Sequence, residues 1–225
     1  MLEILPKSIL KNASDQYRRA DPFHRWYAWF KYRMDPCYVS VSAYIPPGTL
    51  TVDLGTGLGM LPVFLAFAGG NRQSLGVEHD TYKVRSAMRV VAGLAGIQIT
   101  EGDALEFNIP PCDVVTIVDL LHYYPDEVQR LLLARCARSL RPGGRLLIRE
   151  GDRRNGGLSG WTRWVEKLSV KLGWNKGSQT SFRPIDDIAD DLAAIGFRVS
   201  RVITSGRFHP GNVLLVAEVQ ATDCG

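Results

Sequence analysis

The stretch at residues 50–59, L-T-V-D-L-G-T-G-L-G, constrains the fold more than any other part of the chain. Thr51 and Val52 favour a strand, Asp53 stands at its end, and Gly55, Gly57 and Gly59 let the backbone turn sharply and approach a ligand closely. An apolar run then starts a helix at Met60, so the free N–H groups and positive end of that helix face whatever lies over the turn. Strand, glycine turn and helix in this order make a cradle for a nucleotide-like ligand. The spacing departs from the dinucleotide pattern G-x-G-x-x-G, which would need glycine where the chain has Met60. That departure weighs against a nicotinamide dehydrogenase.

Downstream, strands and helices alternate, which implies a parallel sheet with helices on both faces. Strand 50–54 and helix 60–68 are followed by a strand at 74–77, a helix at 82–94, and a strand at 97–100 leading into Gly102-Asp103-Ala104. A buried apolar strand at 113–118 precedes a helix at 127–140, which stops at Arg141-Pro142-Gly143-Gly144. A fifth strand at 145–149, a helix at 184–195 and an antiparallel pair at 197–204 and 212–219 complete seven strands, all parallel except the last.

Two segments lie outside this alternation. Residues 1–47 form an N-terminal helical cap, separated by Ile45-Pro46-Pro47-Gly48 from the main domain at 48–225. Within the cap, Asp21-Pro22 starts a helix that closes at Asp35-Pro36. Phe23, Trp26, Tyr27, Phe30 and Met34 recur at helical spacing, while His24, Arg25 and Lys31 fall largely on other faces. The aromatic stripe is expected to pack on the main domain; it could also cover a substrate pocket or, with its basic neighbours, rest on a membrane surface. The second segment, an insertion at 151–183, is a helical lid carrying Trp161, Trp164, Val165, Leu168 and Leu172. Its excess of Arg and Lys suits an anionic acceptor, an acidic carrier protein or RNA, or simply a solvated face.

Composition bounds the function. A chain of 225 residues with 45% hydrophobic and 22% charged residues suits one globular domain with an appended helical segment. No apolar run is long enough to span a membrane, and the N-terminus lacks the pattern of a secretion signal. Cys37, Cys112, Cys136 and Cys224 form no C-x-x-C pair, which argues against a zinc site or a disulfide framework and fits a reducing cytoplasm. No metal site is expected. A net charge of +4 requires no nucleic-acid partner.

In an open parallel sheet the ligand crevice lies beyond the carboxyl ends of the strands. Asp53, Glu78, Asp103 and Asp119 each close a predicted strand at that end. Glu78 follows Gly55 at about the distance, roughly 20 residues, at which an acid takes ribose hydroxyls. The alternative is that these acids cap the helices that follow.

The acid and glycines at 53–59, the segment D-L-L-H-Y-Y-P-D at 119–126 and L-x-P-G-G-x-L-L-I at 140–148 together resemble the class I S-adenosylmethionine-dependent methyltransferases. The resemblance covers roughly residues 50–219 and implies a Rossmann-like seven-stranded sheet with S-adenosyl-L-methionine as cofactor and S-adenosyl-L-homocysteine (SAH) as product. It implies that the turn at Gly55, Thr56, Gly57 and Gly59 passes under the methionine part, that Asp53 helps orient its amino group, and that Asp103 accepts from the adenine amino group. His79 and Ala104 would lie beside the base, and Asp119 and Leu120 in the same pocket.

The implied reaction is transfer of a methyl group by in-line displacement to a small organic acceptor, with a planar or acyl-chain molecule favoured by the aromatic cap. An RNA methyltransferase is an alternative, opposed by the mild charge and the absence of an N-P-P-Y type signature. A cofactor-binding module without catalysis is another. If the acceptor is a hydroxyl, a general base is needed. His122, just past the fourth strand, is the first choice by position, and Glu150 at the end of the fifth is the second. His209 is the third, because the hairpin between the last two strands returns to the crevice side with Arg207.

Overall fold

The computed structural model describes residues 7–151, 181–204 and 211–219. Strands β1 (Leu50–Leu54), β2 (Gln73–Glu78), β3 (Ile97–Glu101), β4 (Cys112–Val118), β5 (Leu140–Gly151), β6 (Phe197–Ile203) and β7 (Asn212–Val219) form one sheet in the order β3-β2-β1-β4-β5-β7-β6. Neighbours from β3 to β5 are parallel, and β7 is antiparallel to both β5 and β6. Six strands therefore run one way and only β7 is reversed, as the sequence pattern predicts. Strand order changes direction between β1 and β4, so the carboxyl ends of those two strands frame the crevice. Central β4 reads C-D-V-V-T-I-V because it is buried on both faces.

Alternate residues of the strands feed two cores. On one face Val115, Ile117, Leu146 and Ile148 meet α6 (Asp126–Ser139) and α7 (Ile185–Ala194). On the other, Val114, Leu147 and Leu214 share a cluster with α4 (Met60–Ala68), α5 (Thr81–Val91) and the N-terminal helices α1 (Lys7–Gln16), α2 (Pro22–Met34) and α3 (Cys37–Ser42). The cap is thus built into the core of the sheet. No helix among the described residues is long and apolar enough to cross a membrane.

Helix α2 begins where Asp21 and Pro22 predict, with the Asp21 carboxylate accepting from the His24 N–H at 3.0 Å. Its buried face, however, is His24, Ala28 and Tyr32 rather than the apolar stripe. Phe23 is 39% exposed and Trp26 49%, and Trp26 stacks on Phe30 at 5.7 Å. Of the predicted stripe, Tyr27 packs against the core. The inversion arises because the polar tips of the inward residues find partners inside. The His24 ring meets Asp21 at 2.7 Å and Ser86 at 2.9 Å, and the Tyr32 hydroxyl donates to the Met60 carbonyl at 2.7 Å. Two further differences are local. Helix α3 follows Pro36 without a signal strong enough to predict it, and residues 140–144 extend β5 through a register shift between Cys112 and Val114. The helical part of the predicted lid, at 161–172, and the hairpin tip bearing Arg207 and His209 lie outside the described residues.

One buried ion cluster ties the cap to the sheet. Arg149 of β5, only 1% exposed, donates through Nη2 to both carboxylate oxygens of Asp35, at 2.9 and 3.1 Å, and through Nη1 to Asp119. Lys31 of α2 reaches Asp35 at 3.0 Å and Asp119 at 3.6 Å. Burial alone would lower the Lys31 and Arg149 pKa values, but the carboxylates around them raise both. Removing one member of such a cluster strands an uncompensated charge, so Arg149→Met is expected to cost about 3–5 kcal/mol of stability in urea denaturation.

Candidate active site

The glycine turn is held from three sides. The N–H groups of Gly55 and Thr56 both donate to the Val77 carbonyl, at 2.9 and 3.0 Å, which fastens the turn to the end of β2. Below it, Asp53 accepts from the hydroxyls of Thr56 and Thr116, each at 2.6 Å. From the cap, Tyr17 donates to the Leu58 carbonyl at 2.9 Å and Tyr32 to that of Met60. Gly55 and Gly57 stand at φ of 70° and 58°, where glycine is free of the penalty that side chains meet. They differ in surroundings: a Cβ on Gly55 would come within 2.9 Å of Leu120, whereas one on Gly57 would meet nothing within 4 Å among the described residues. Open space over Gly57 is where a ligand can lie against the backbone.

The strand-end acids divide by partner. Glu78 is buried and accepts from the Gly57 N–H at 2.8 Å and the Asp80 N–H at 3.0 Å, with His79 Nδ1 at 3.1 Å. Burial would raise its carboxyl pKa, but these bonds and Lys83 hold it below the ordinary value. The Glu78 hydrogen bond in turn raises His79, which is half exposed. Glu78 does not cap the next helix; Asp80 does, accepting from Tyr82 and Lys83 N–H at 2.9 and 3.2 Å. Asp103 is exposed at the end of β3 and accepts from the Leu105 N–H at 2.8 Å, while Ala104 beside it is buried. Asp119 joins the ion cluster at Arg149 and Lys31.

Asp119 also turns the chain. Its φ of 54° is left-handed, a conformation aspartate tolerates, and it sends Leu120 over Gly55 and the 3₁₀ turn Leu121–Tyr123 toward β5. There the Leu121 N–H donates to Glu150 Oε1 at 2.7 Å, and His122 Nδ1 lies 2.8 Å from Glu150 Oε2. His122 is 7% exposed; its ring stacks on Phe182 with centroids 4.6 Å apart, and its carbonyl accepts from the Ser181 N–H at 2.7 Å. Leu121, His122, Glu150, Phe182 and Arg183 line one small cleft. Two of the three candidate bases are therefore one hydrogen-bonded pair.

Sequence reasoning did not single out Arg149, Lys31, Asp35 or Phe182. Asp35 was legible only as the end of a helix, and Lys31 as an outward-facing charge. A lone arginine inside the apolar run L-L-I-R-E is the one signal that could have marked the cluster.

Burial raises the Asp53 carboxyl from 3.8 to about 6, with the two threonine bonds opposing the rise and Glu78 adding to it. A folded-state value above the unfolded one favours folding at low pH and is lost as pH rises through about 6. A rise from 3.8 to about 6 corresponds to about 3 kcal/mol of preference for the protonated form. The stability of the wild type relative to Asp53→Asn should therefore fall by up to that amount between pH 4 and pH 7 in urea titrations, and a pH-independent difference would contradict it.

Residues 51–144 match the family model of a methyltransferase domain. No curated protein sequence matches the chain significantly. The fold resembles that of a SAM-dependent methyltransferase from Aquifex aeolicus, with 16% identity and a TM-score of 0.63 over 92% of this chain and 98% of that one. Magnesium protoporphyrin IX methyltransferase from Synechocystis PCC 6803, solved with bound SAH, aligns at 20% identity and a TM-score of 0.60 over 98% and 89% of the two chains. Mitomycin 7-O-methyltransferase aligns at 22% identity and a TM-score of 0.67 over 92% of this chain and 60% of that one. Residues 51–144 thus resemble a methyltransferase domain, and the seven-stranded sheet that contains them has the Rossmann-like fold seen in S-adenosylmethionine-dependent methyltransferases.

Proposed function

We propose that the protein transfers a methyl group from S-adenosyl-L-methionine to a hydroxyl of a small, planar organic acceptor, with His122 as general base. The pairing of His122 with Glu150 carries this reading. The residues present fit the cofactor. Gly57 offers open backbone, the exposed Asp103 carboxylate suits an adenine amino group, and half-buried Asp119 and Leu120 close the methionine side. Glu78 takes the ribose hydroxyls with the accepting capacity left beside its bonds to Gly57, Asp80 and His79. Asp53 lies beneath the turn and acts through it, held by the hydroxyls of Thr56 and Thr116.

When bound, the cofactor supplies a methyl carbon made electrophilic by its sulfonium sulfur. The chain has to hold the acceptor oxygen in line, exclude water and take a proton. Glu150, fixed by the Leu121 N–H, keeps the proton of neutral His122 on Nδ1, so Nε2 is the atom that accepts the acceptor's proton. The Glu150 charge then steadies the imidazolium. Phe182 stacked on His122 gives the cleft a flat apolar wall, which favours an aromatic acceptor. The acceptors named for the similar structures, magnesium protoporphyrin IX and mitomycin, support a small organic molecule as the class.

An acceptor screen with labelled cofactor, run beside calorimetric titration of S-adenosyl-L-methionine, tests both halves. His122→Ala should lose about 10²–10⁴-fold in turnover while binding cofactor as the wild type does; full activity would remove His122 as the base. Glu78→Ala should weaken cofactor binding, and unchanged affinity would overturn the cofactor site.

A further inference from the structure

Arg183 lines the same cleft as His122 and Glu150 and is 6% exposed. Its guanidinium is fixed on one side: Nη2 lies 2.7 Å from Asp191 and donates to the Asp187 carbonyl at 3.4 Å, and Nε lies 3.7 Å from Asp126. Asp191 is shared with Arg130 at 3.2 Å, and Asp126 also accepts from the Ser181 hydroxyl at 2.7 Å, so both carboxylates are occupied. The remaining nitrogen, Nη1, is buried and has no hydrogen-bond partner among the described residues. A buried charged donor left unmade is costly and calls for an explanation. Two residues away, Ser181 is bonded to the His122 carbonyl, and Phe182 stacks on the His122 ring, so the segment that seats the base also carries this donor.

We propose that Arg183 selects the methyl acceptor, its Nη1 donating to a carboxylate or carbonyl oxygen that the acceptor carries near the hydroxyl to be methylated. This rests on the cleft at His122 being the acceptor site. The guanidinium is rigid and planar, and with Nη2 and Nε held by Asp191 and Asp126 its free edge presents a directional donor rather than a diffuse charge. The class of acceptor is then a hydroxylated ring with an adjacent carbonyl or carboxylate. A lysine at this position would keep an ion pair with Asp191 but would lack the second, separately aimed nitrogen.

The test compares salicylate, 2-hydroxyacetophenone and phenol as probes, titrated calorimetrically into full-length protein with SAH present. Salicylate or 2-hydroxyacetophenone should bind the wild type at least tenfold more tightly than phenol, and the ratio should fall toward one in Arg183→Lys. Arg183→Gln should do the same if it folds by thermal melt, and Arg183→Lys decides the matter if it does not. Equal binding of all three probes by the wild type, or a ratio that survives in Arg183→Lys, would overturn the proposal. A tenfold preference, with no methyl transfer to any probe in a parallel assay with labelled S-adenosyl-L-methionine, would support the Arg183 contact while counting against the transfer reading.

Discussion

A guanidinium buried at the end of β5 holds together parts of the molecule that are remote in sequence. Arg149 meets Asp35 from the cap and Asp119 from the end of β4, and Lys31 closes the same circuit from α2. Inside the fold such charges interact strongly because little water screens them, and each depends on the others for its solvation. The consequence is positional. Asp119 is kept in a left-handed turn that places Leu120 on the glycine loop and His122 on Glu150. The glycine turn and the His122–Glu150 pair thus share one electrostatic anchor.

The acids at the strand ends show how a ligand crevice is prepared before a ligand arrives. Asp53 and Glu78 are both buried, yet each is taken up with local work: Asp53 with two threonines, Glu78 with the N–H groups of Gly57 and Asp80. These bonds fix the path of the turn, so less disorder has to be removed when a ligand lies on it. Asp103 and Asp119 keep more of their surface open, which leaves the two ends of the crevice to meet solvent or ligand directly.

The architecture was legible in the sequence because its signals are local. Glycine spacing marked the turn at 55–59, apolar runs marked β1 and β4, and Pro142-Gly143-Gly144 marked the end of α6. The pairing of His122 with Glu150 could be suspected from position alone, since both stand at the carboxyl ends of adjacent strands. What could not be read depends on contacts across long separations. The inward face of α2 is polar at its tips, and only the positions of Ser86 and Met60 make His24 and Tyr32 better interior residues than Phe23 and Trp26. The same holds for Lys31 and Asp35, which on a helical projection are ordinary surface charges until Arg149 is brought beside them.

The hydroxyls of Tyr17 and Tyr32 end on carbonyls of Leu58 and Met60, on either side of Gly59. The backbone of the glycine turn is therefore partly upholstered by the N-terminal segment, which is no detachable cover. Grafting the N-terminal helices of a relative onto this domain to change acceptor choice would also reset the backbone of the glycine turn, the floor of the proposed cofactor site. On the proposed reading, acceptor range and cofactor affinity are inherited together.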